Sequence, residues 1–202
     1  MKPYLLLTVM ALSLLACKEK KQENPATETV NSTGSAAEDS AAIRQTVTGF
    51  YEWYTTHFNQ MMGYKLYSGL NKPDMPPYKI NWDEVERYQA FIRDSVPYLG
   101  EGFLVNQRKM FQQCDSAFKV DTKDEIPYGF DYDWYTNSQE DPSYLLKGIK
   151  ASGKWMLNRE GDLAKLEIGA PDDKDYLAGS LLLFVELKKE NGQWKITQIG
   201  ND

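Results

Sequence analysis

The chain has 202 residues, with 29 acidic and 23 basic side chains, a net charge of −6, one histidine and two cysteines. The acidic balance and the lack of a basic stripe repel polyanions, so nucleic acid is excluded as a partner. About 160 residues beyond the N-terminal region suffice for one domain with its own core.

The chain opens with a cation, Lys2, then a twelve-residue apolar run from Tyr4 to Leu15, then Ala16 and Cys17. A bilayer core requires roughly 20 apolar residues, so the run is too short to span it. Its layout is that of a secretory signal, residues 1–16. The ending Leu14-Leu15-Ala16-Cys17 resembles a bacterial lipobox. That resemblance implies cleavage before Cys17, lipidation (palmitate among the acyl chains) at Cys17, and a membrane as partner through the lipid. One acyl chain holds a protein only marginally and stable attachment needs a second, which a diacylglycerol-type modification supplies. The expected location is the bacterial cell envelope, on either the periplasmic or the outer-surface face. Loss of Lys2 with the signal takes the 23 basic side chains to 22 against 29 acidic ones, a net of about −7.

Residues 17–39 contain no aromatic residue and one large aliphatic, Val30, too little apolar surface to offset the entropy of ordering. They are expected to form a lipidated flexible tether, followed by a single domain over 40–202. All five tryptophans and twelve of the thirteen tyrosines lie in that domain. With Cys17 lipidated, Cys114 has no partner for an intramolecular disulfide, and its setting between Phe111 and Phe118 suits a buried small hydrophobe.

Ile43, Val47, Phe50, Tyr51, Tyr54 and Phe58 recur at three- and four-residue steps and predict an amphipathic helix over 42–58, capped by Asp39 or Ser40. Residues 59–81, with two glycines and three prolines, predict a long loop with at most short structure. Asp83 opens a second helix bearing Val85, Tyr88 and Ile92, interrupted at Pro97, and a third helical pattern spans 104–118. Residues 119–146 are rich in Asp, Tyr and Pro and read as irregular. Strands follow at 154–158, around Ala164, Leu166 and Ile168, and at Leu181–Leu187, where Leu182 and Phe184 suggest that both faces are covered. Asn191-Gly192 predicts a tight turn into a final strand at Trp194. Helices first and an antiparallel meander afterwards define an α+β domain with N-terminal helices packed on a curved antiparallel sheet.

Phe50-Tyr51-Glu52-Trp53-Tyr54, Asp131-Tyr132-Asp133 followed by Ser138-Gln139-Glu140-Asp141, and the closing Gly192-Gln193-Trp194-Lys195-Ile196 together resemble an uncharacterised family of secreted and lipoprotein domains, of Bacteroidetes type. That family belongs to the nuclear-transport-factor-2-like (cystatin-like) superfamily. Two departures stand out: Glu140 separates Gln139 from Asp141, and Trp134 follows Asp133 where Pro is expected. The resemblance implies a cone, a bent sheet wrapped around the first helix, often with a pocket. It implies no settled activity and no cofactor.

No histidine set for zinc, no Gly-x-Ser-x-Gly and no phosphate-binding glycine loop is present. His57 is expected as a partly exposed surface residue rather than a catalyst. The carboxylates Asp124, Glu125, Asp131, Asp133, Glu140 and Asp141 depart from a calcium-hand loop, so no metal is expected. The candidate pocket lies between the first helix and the sheet: Tyr51 and Tyr54 facing it, Asp131, Asp133 and Gln139 at its mouth, Trp155 or Trp194 as a wall. The aromatic members read equally well as core between helix and sheet. Three functions follow: non-catalytic binding of a small ligand or a protein partner at the envelope, a hydrolase or isomerase using a pocket carboxylate, and an inhibitor or immunity-type factor with an acidic face. Replacing Cys17 with Ala is expected to leave the precursor uncleaved or to release the domain from membranes. Fractionation that still finds Cys17→Ala membrane-bound and cut at the same bond would overturn the lipobox assignment.

Overall fold

The computed structural model describes residues 35–200. The signal 1–16, Cys17 and most of the expected tether lie outside the described residues. The elements run α1 (Ala36–Met62), β1 (Tyr67–Gly69), β2 (Tyr78–Ile80), α2 (Trp82–Ser95), α3 (Glu101–Val120), α4 (Pro142–Ala151), β3 (Trp155–Glu160), β4 (Leu163–Gly169), β5 (Leu181–Glu190) and β6 (Gln193–Ile199). The architecture is mixed α+β: four helices and a four-stranded antiparallel sheet in the order β3-β4-β5-β6, with β1 and β2 as a separate antiparallel pair.

α1 starts earlier than its apolar stripe suggests. Ser35 accepts from the Glu38 N–H and the Glu38 carboxylate accepts from the Ser35 N–H, a reciprocal capping box. The tether boundary at 39 is therefore corrected: residues 36–39 are helical, and neither Asp39 nor Ser40 is the cap. Asp39 is instead buried, 4 % exposed. Its Oδ1 accepts from the Lys189 ammonium at 2.8 Å and the Trp194 indole N–H at 2.9 Å, while Oδ2 meets the Arg159 guanidinium at 3.0 Å. One carboxylate thus ties the first turn of α1 to β3, β5 and β6.

Past Asp39 the stripe holds. Ile43, Val47, Phe50, Tyr51, Tyr54 and Met61 are buried in one cluster with Leu166, Ile168, Leu183, Val185, Leu187 and Ile196 of the sheet. Alternation aims these strand residues at the helices and their neighbours outward. The outer face is the open one: Lys165 pairs with Glu186 across strands at 2.7 Å. That corrects the expectation that both faces of β5 are covered, since Leu182 and Phe184 are only half-buried and Leu181 is 47 % exposed. A register shift opposite Ile168 and Gly169 places Leu182 as the extra residue in β5. The β5–β6 turn is the expected one, with Asn191 and Gly192 at φ 51 and 79. A positive-φ pair is what a two-residue hairpin turn requires.

The segment 119–146 is not irregular throughout. Asp141 accepts from the Ser143 N–H, Pro142 fills the first helical position, and α4 runs to Ala151. α4 buries Leu145 and Ile149, and Gly148 lets it approach Leu182 and Tyr176. At the other sheet edge, Tyr98 and Gly100 bond to Ile196 in a parallel bridge, which covers β6.

Asp39 is acidified by its hydrogen bonds to Lys189 and Trp194, which outweigh the cost of its burial. A lowered carboxylate contributes stability at pH values above its ordinary 3.8, and that contribution disappears as pH falls through the folded value. Asp39→Asn leaves two cations facing a neutral group and is expected to cost about 3 kcal/mol at pH 7. Urea unfolding should show that gap closing below about pH 4; a variant as stable as wild type at pH 7 would show that the ion group is incidental.

Candidate functional site

Four tyrosines meet inside the helical layer. Tyr51 and Tyr54 lie three residues apart on one face of α1, Tyr88 comes from α2, and Tyr135 comes from the segment before α4. All four are at most 2 % exposed. Buried phenol hydroxyls require partners, and the 129–139 segment supplies them. The Tyr51 hydroxyl donates to the Tyr135 carbonyl at 2.7 Å, and the Tyr54 hydroxyl donates to Asp133 Oδ2 at 2.8 Å. The Tyr88 and Tyr135 hydroxyls are 2.5 Å apart, and Gln107 Nε2 donates to the latter at 3.1 Å. Asp133 also caps its own turn: Oδ1 accepts from the Tyr135 N–H at 2.9 Å, and its N–H donates to the Ser138 carbonyl at 2.8 Å.

Burial raises the pKa of each of these tyrosines, so they act as neutral donors. Burial also raises the Asp133 carboxyl above its ordinary 3.8, against the opposing pull of the Tyr135 N–H and Tyr54 hydroxyl. No Lys, Arg or His nitrogen lies within 4.0 Å of that carboxylate among the described residues.

Asp133 lines a cleft of about 380 Å³ between the end of α1, the β1–β2 region and the 130–135 segment. Tyr67, Phe130 and Trp134 form one continuous aromatic wall, with ring centroids 4.5 and 4.9 Å apart along it. Tyr64 and Tyr88 add a second pair at 5.0 Å. Asp74 and Lys65 complete the lining. Behind Tyr132 and Trp134 lies a larger cleft of about 520 Å³ between α3 and β6, whose polar lining includes the amides of Asn106, Gln113 and Asn137. Gln107 borders it, and its buried Oε1 has no hydrogen-bond partner among the described residues.

This geometry redraws the expected pocket. The space between α1 and the sheet is filled by the core, and Tyr51 and Tyr54 are sealed within it. Asp131 is exposed, and Gln139, also exposed, donates to its backbone carbonyl at 2.9 Å; the two meet each other and not the cleft. Trp155 is half-buried, donates to the Ser152 carbonyl at 3.0 Å and carries the Arg44 guanidinium 4.7 Å above its ring. Trp194 belongs to the Asp39 group. Of the seven candidates, Asp133 alone lines the aromatic cleft. Tyr64, Tyr67, Phe130, Trp134 and Tyr135 are not among the pocket residues that the sequence points to. The one signal for them is the density of aromatic residues in two segments that otherwise read as loops.

His57 lies half-buried on α1, stacked on Trp53 at 4.3 Å with Nδ1 2.8 Å from the Trp53 carbonyl. Cys114 is a free, buried thiol that burial pushes up to about 11. Among the described residues, no helix is long and apolar enough to cross a membrane, and no group of three His, Cys, Asp or Glu side chains is placed to hold a metal. No protein-family model, curated protein or solved structure matches the chain.

A raised carboxyl has the opposite linkage from Asp39. Asp133 binds its proton more tightly folded than unfolded, so it makes stability fall as pH rises from 3.8 through its folded value. Asp133→Asn removes that term. Its melting temperature is expected to rise more steeply than that of wild type, or to fall less, between about pH 4 and pH 7. Parallel curves would show that Asp133 is not raised.

Proposed function

We propose that this chain is an envelope lipoprotein, tethered through Cys17, whose domain adopts the nuclear-transport-factor-2-like cone and binds a small ligand in the aromatic cleft. The tether reading rests on the signal-like start and on Leu14-Leu15-Ala16-Cys17. The cone reading is supported by α1 packed on the inner face of an antiparallel meander, together with the motif resemblance. The observation that carries ligand binding is the cleft itself, a concave site of about 380 Å³ walled by tyrosine, phenylalanine and tryptophan with one half-buried carboxylate. Ligand sites are typically of this size and composition, apolar walls with few polar groups that fix orientation. A tethered domain needs no catalysis for such a role.

A second reading, a hydrolase or isomerase, is favoured by one observation: burial lifts the Asp133 carboxyl toward the range in which a carboxylate serves as a general base or acid. Under that reading Asp133→Asn abolishes turnover of the ligand while retaining its binding.

Native mass spectrometry of the protein extracted gently from membranes is expected to show a retained small molecule that denaturation releases. Tyr67→Ala, which opens the aromatic wall, is expected to lose it. A wild-type protein that carries nothing, and a Tyr67→Ala variant that retains the molecule, are the two results against cleft binding.

A further inference from the structure

From the aromatic cleft we infer a ligand class, resting on the ligand-binding reading above: we propose that the cleft takes an organic cation, an amine or quaternary ammonium, seated between the Tyr67–Phe130–Trp134 wall and the Asp133 carboxylate.

Two independent features converge on this class. The first is charge. Asp133 is held by neutral donors, the Tyr54 hydroxyl at 2.8 Å and the Tyr135 N–H at 2.9 Å, which position the carboxylate without cancelling its charge. Asp39, the buried carboxylate among the described residues, is handled differently and has two cations on it. The remaining charged lining residues, Asp74 and Lys65, are exposed at the rim and oppose each other in sign, so Asp133 sets the sign of the site. A charge withdrawn from water without a counter-ion is costly, and a cationic ligand is the group that relieves it.

The second feature is the wall. Aromatic faces carry negative quadrupole potential and attract a cation that lies within about 6 Å of a ring centroid, more strongly when water is excluded. Tyr67, Phe130 and Trp134 present contiguous rings, and Tyr64 and Tyr88 lie in the same lining. An anionic ligand would face both these rings and Asp133, and a neutral aromatic one would leave the carboxylate uncompensated. The acidic charge of the whole chain, −6, acts in the same direction by raising the local concentration of cations. Burial-driven elevation of the Asp133 pKa adds that an ammonium ligand would be bound together with loss of a proton at low pH.

The test compares isosteric pairs on the wild-type domain: choline against its neutral carbon isostere, in which a tert-butyl group replaces trimethylammonium, and benzylamine against benzyl alcohol. Binding is followed by titration with the Trp134 indole N–H resonance as the site reporter, since that group sits in the wall and donates to the Gly129 carbonyl. Each cation is expected to bind about tenfold or more tightly than its neutral partner. Asp133→Asn is expected to erase that preference, and Tyr67→Leu, which keeps apolar bulk but removes the ring, to weaken the cations more than the neutral probes. Asp74→Asn, at the exposed rim, should reduce the preference by a smaller factor and keeps the test open should Asp133→Asn fail to fold. Neutral isosteres that bind as tightly as the cations would overturn the cation assignment and leave the cleft as a ligand site. So would a retained native ligand that is anionic or uncharged. No response of the Trp134 resonance to any of the four probes, with no retained ligand, would overturn both.

Discussion

The burial of four tyrosine hydroxyls is the constraint on which the rest of this domain depends. The helices supply one side-chain partner, Gln107 Nε2 to the Tyr135 hydroxyl, and the Tyr51 and Tyr54 hydroxyls find their acceptors elsewhere. A buried hydroxyl without a partner costs roughly 1–3 kcal/mol, and here four lie in one layer. The acceptors come from a segment with no regular structure of its own, 129–139, which enters the layer between α1, α2 and α3. The Tyr135 carbonyl serves Tyr51, and the Asp133 carboxylate serves Tyr54. The segment is therefore fixed from inside, although its exposed members, Asp131 and Gln139, look like ordinary loop. Once it is fixed, Tyr132 and Trp134 stand between the aromatic cleft on one side and the larger cleft on the other. Both clefts are consequences of how the phenols are satisfied.

α1 is thus secured at two places by carboxylates in opposite electrostatic settings. Near its start Asp39 is paired with Lys189 and Arg159, which hold it ionised. Towards its end Asp133 receives only neutral donors, and burial moves it the other way. The first arrangement joins the helix to three strands of the sheet and gives the carboxylate two cations of the chain's own. The second joins the helix to a segment that borders open space. A structural ion group and a ligand-facing carboxylate can look alike in sequence, since both are single aspartates next to tyrosine or tryptophan in space. They differ in whether a cation is already provided.

The legible parts of the fold were those with a strong period or a strong turn. Ile43, Val47, Phe50, Tyr51 and Tyr54 mark one helix face wherever the helix begins, and Asn191-Gly192 between two apolar alternations admits little but a hairpin. The start of α1 is hidden by composition: Ser35-Ala36-Ala37-Glu38 is a capping-box spacing, but it sits in a stretch with nothing to bury. α4 is hidden because its start falls in a stretch, 119–146, whose Asp, Tyr and Pro content reads as irregular. Pro is well suited to the first helical position, and Gly148 is where another chain segment comes close. The candidate site was half legible. Tyr54 and Asp133 are both pocket candidates by sequence, and the structure joins them through a 2.8 Å hydrogen bond, with Tyr54 in the core rather than facing open space. Where the open space lies did not follow, because whether a tyrosine faces a void or a partner depends on packing between segments distant in sequence.

The chemical identity of residue 133 links fold to site. The position must accept from the Tyr54 hydroxyl and from the Tyr135 N–H at once, through two different oxygens. An ionised carboxylate is an acceptor on both oxygens, whereas an amide offers one acceptor and turns donors toward the other partner. The fold therefore has a reason of its own to place a carboxylate there, and the charge arrives with it. In a sealed core that charge would demand a cation from the chain, as Asp39 does. At the edge of a cleft, the partner can come from outside, and whatever binds the folded state alone adds to its stability. Satisfying the phenols and creating a cation-selective site are on this account one structural choice, in which the ligand supplies the counter-charge that the protein itself leaves out.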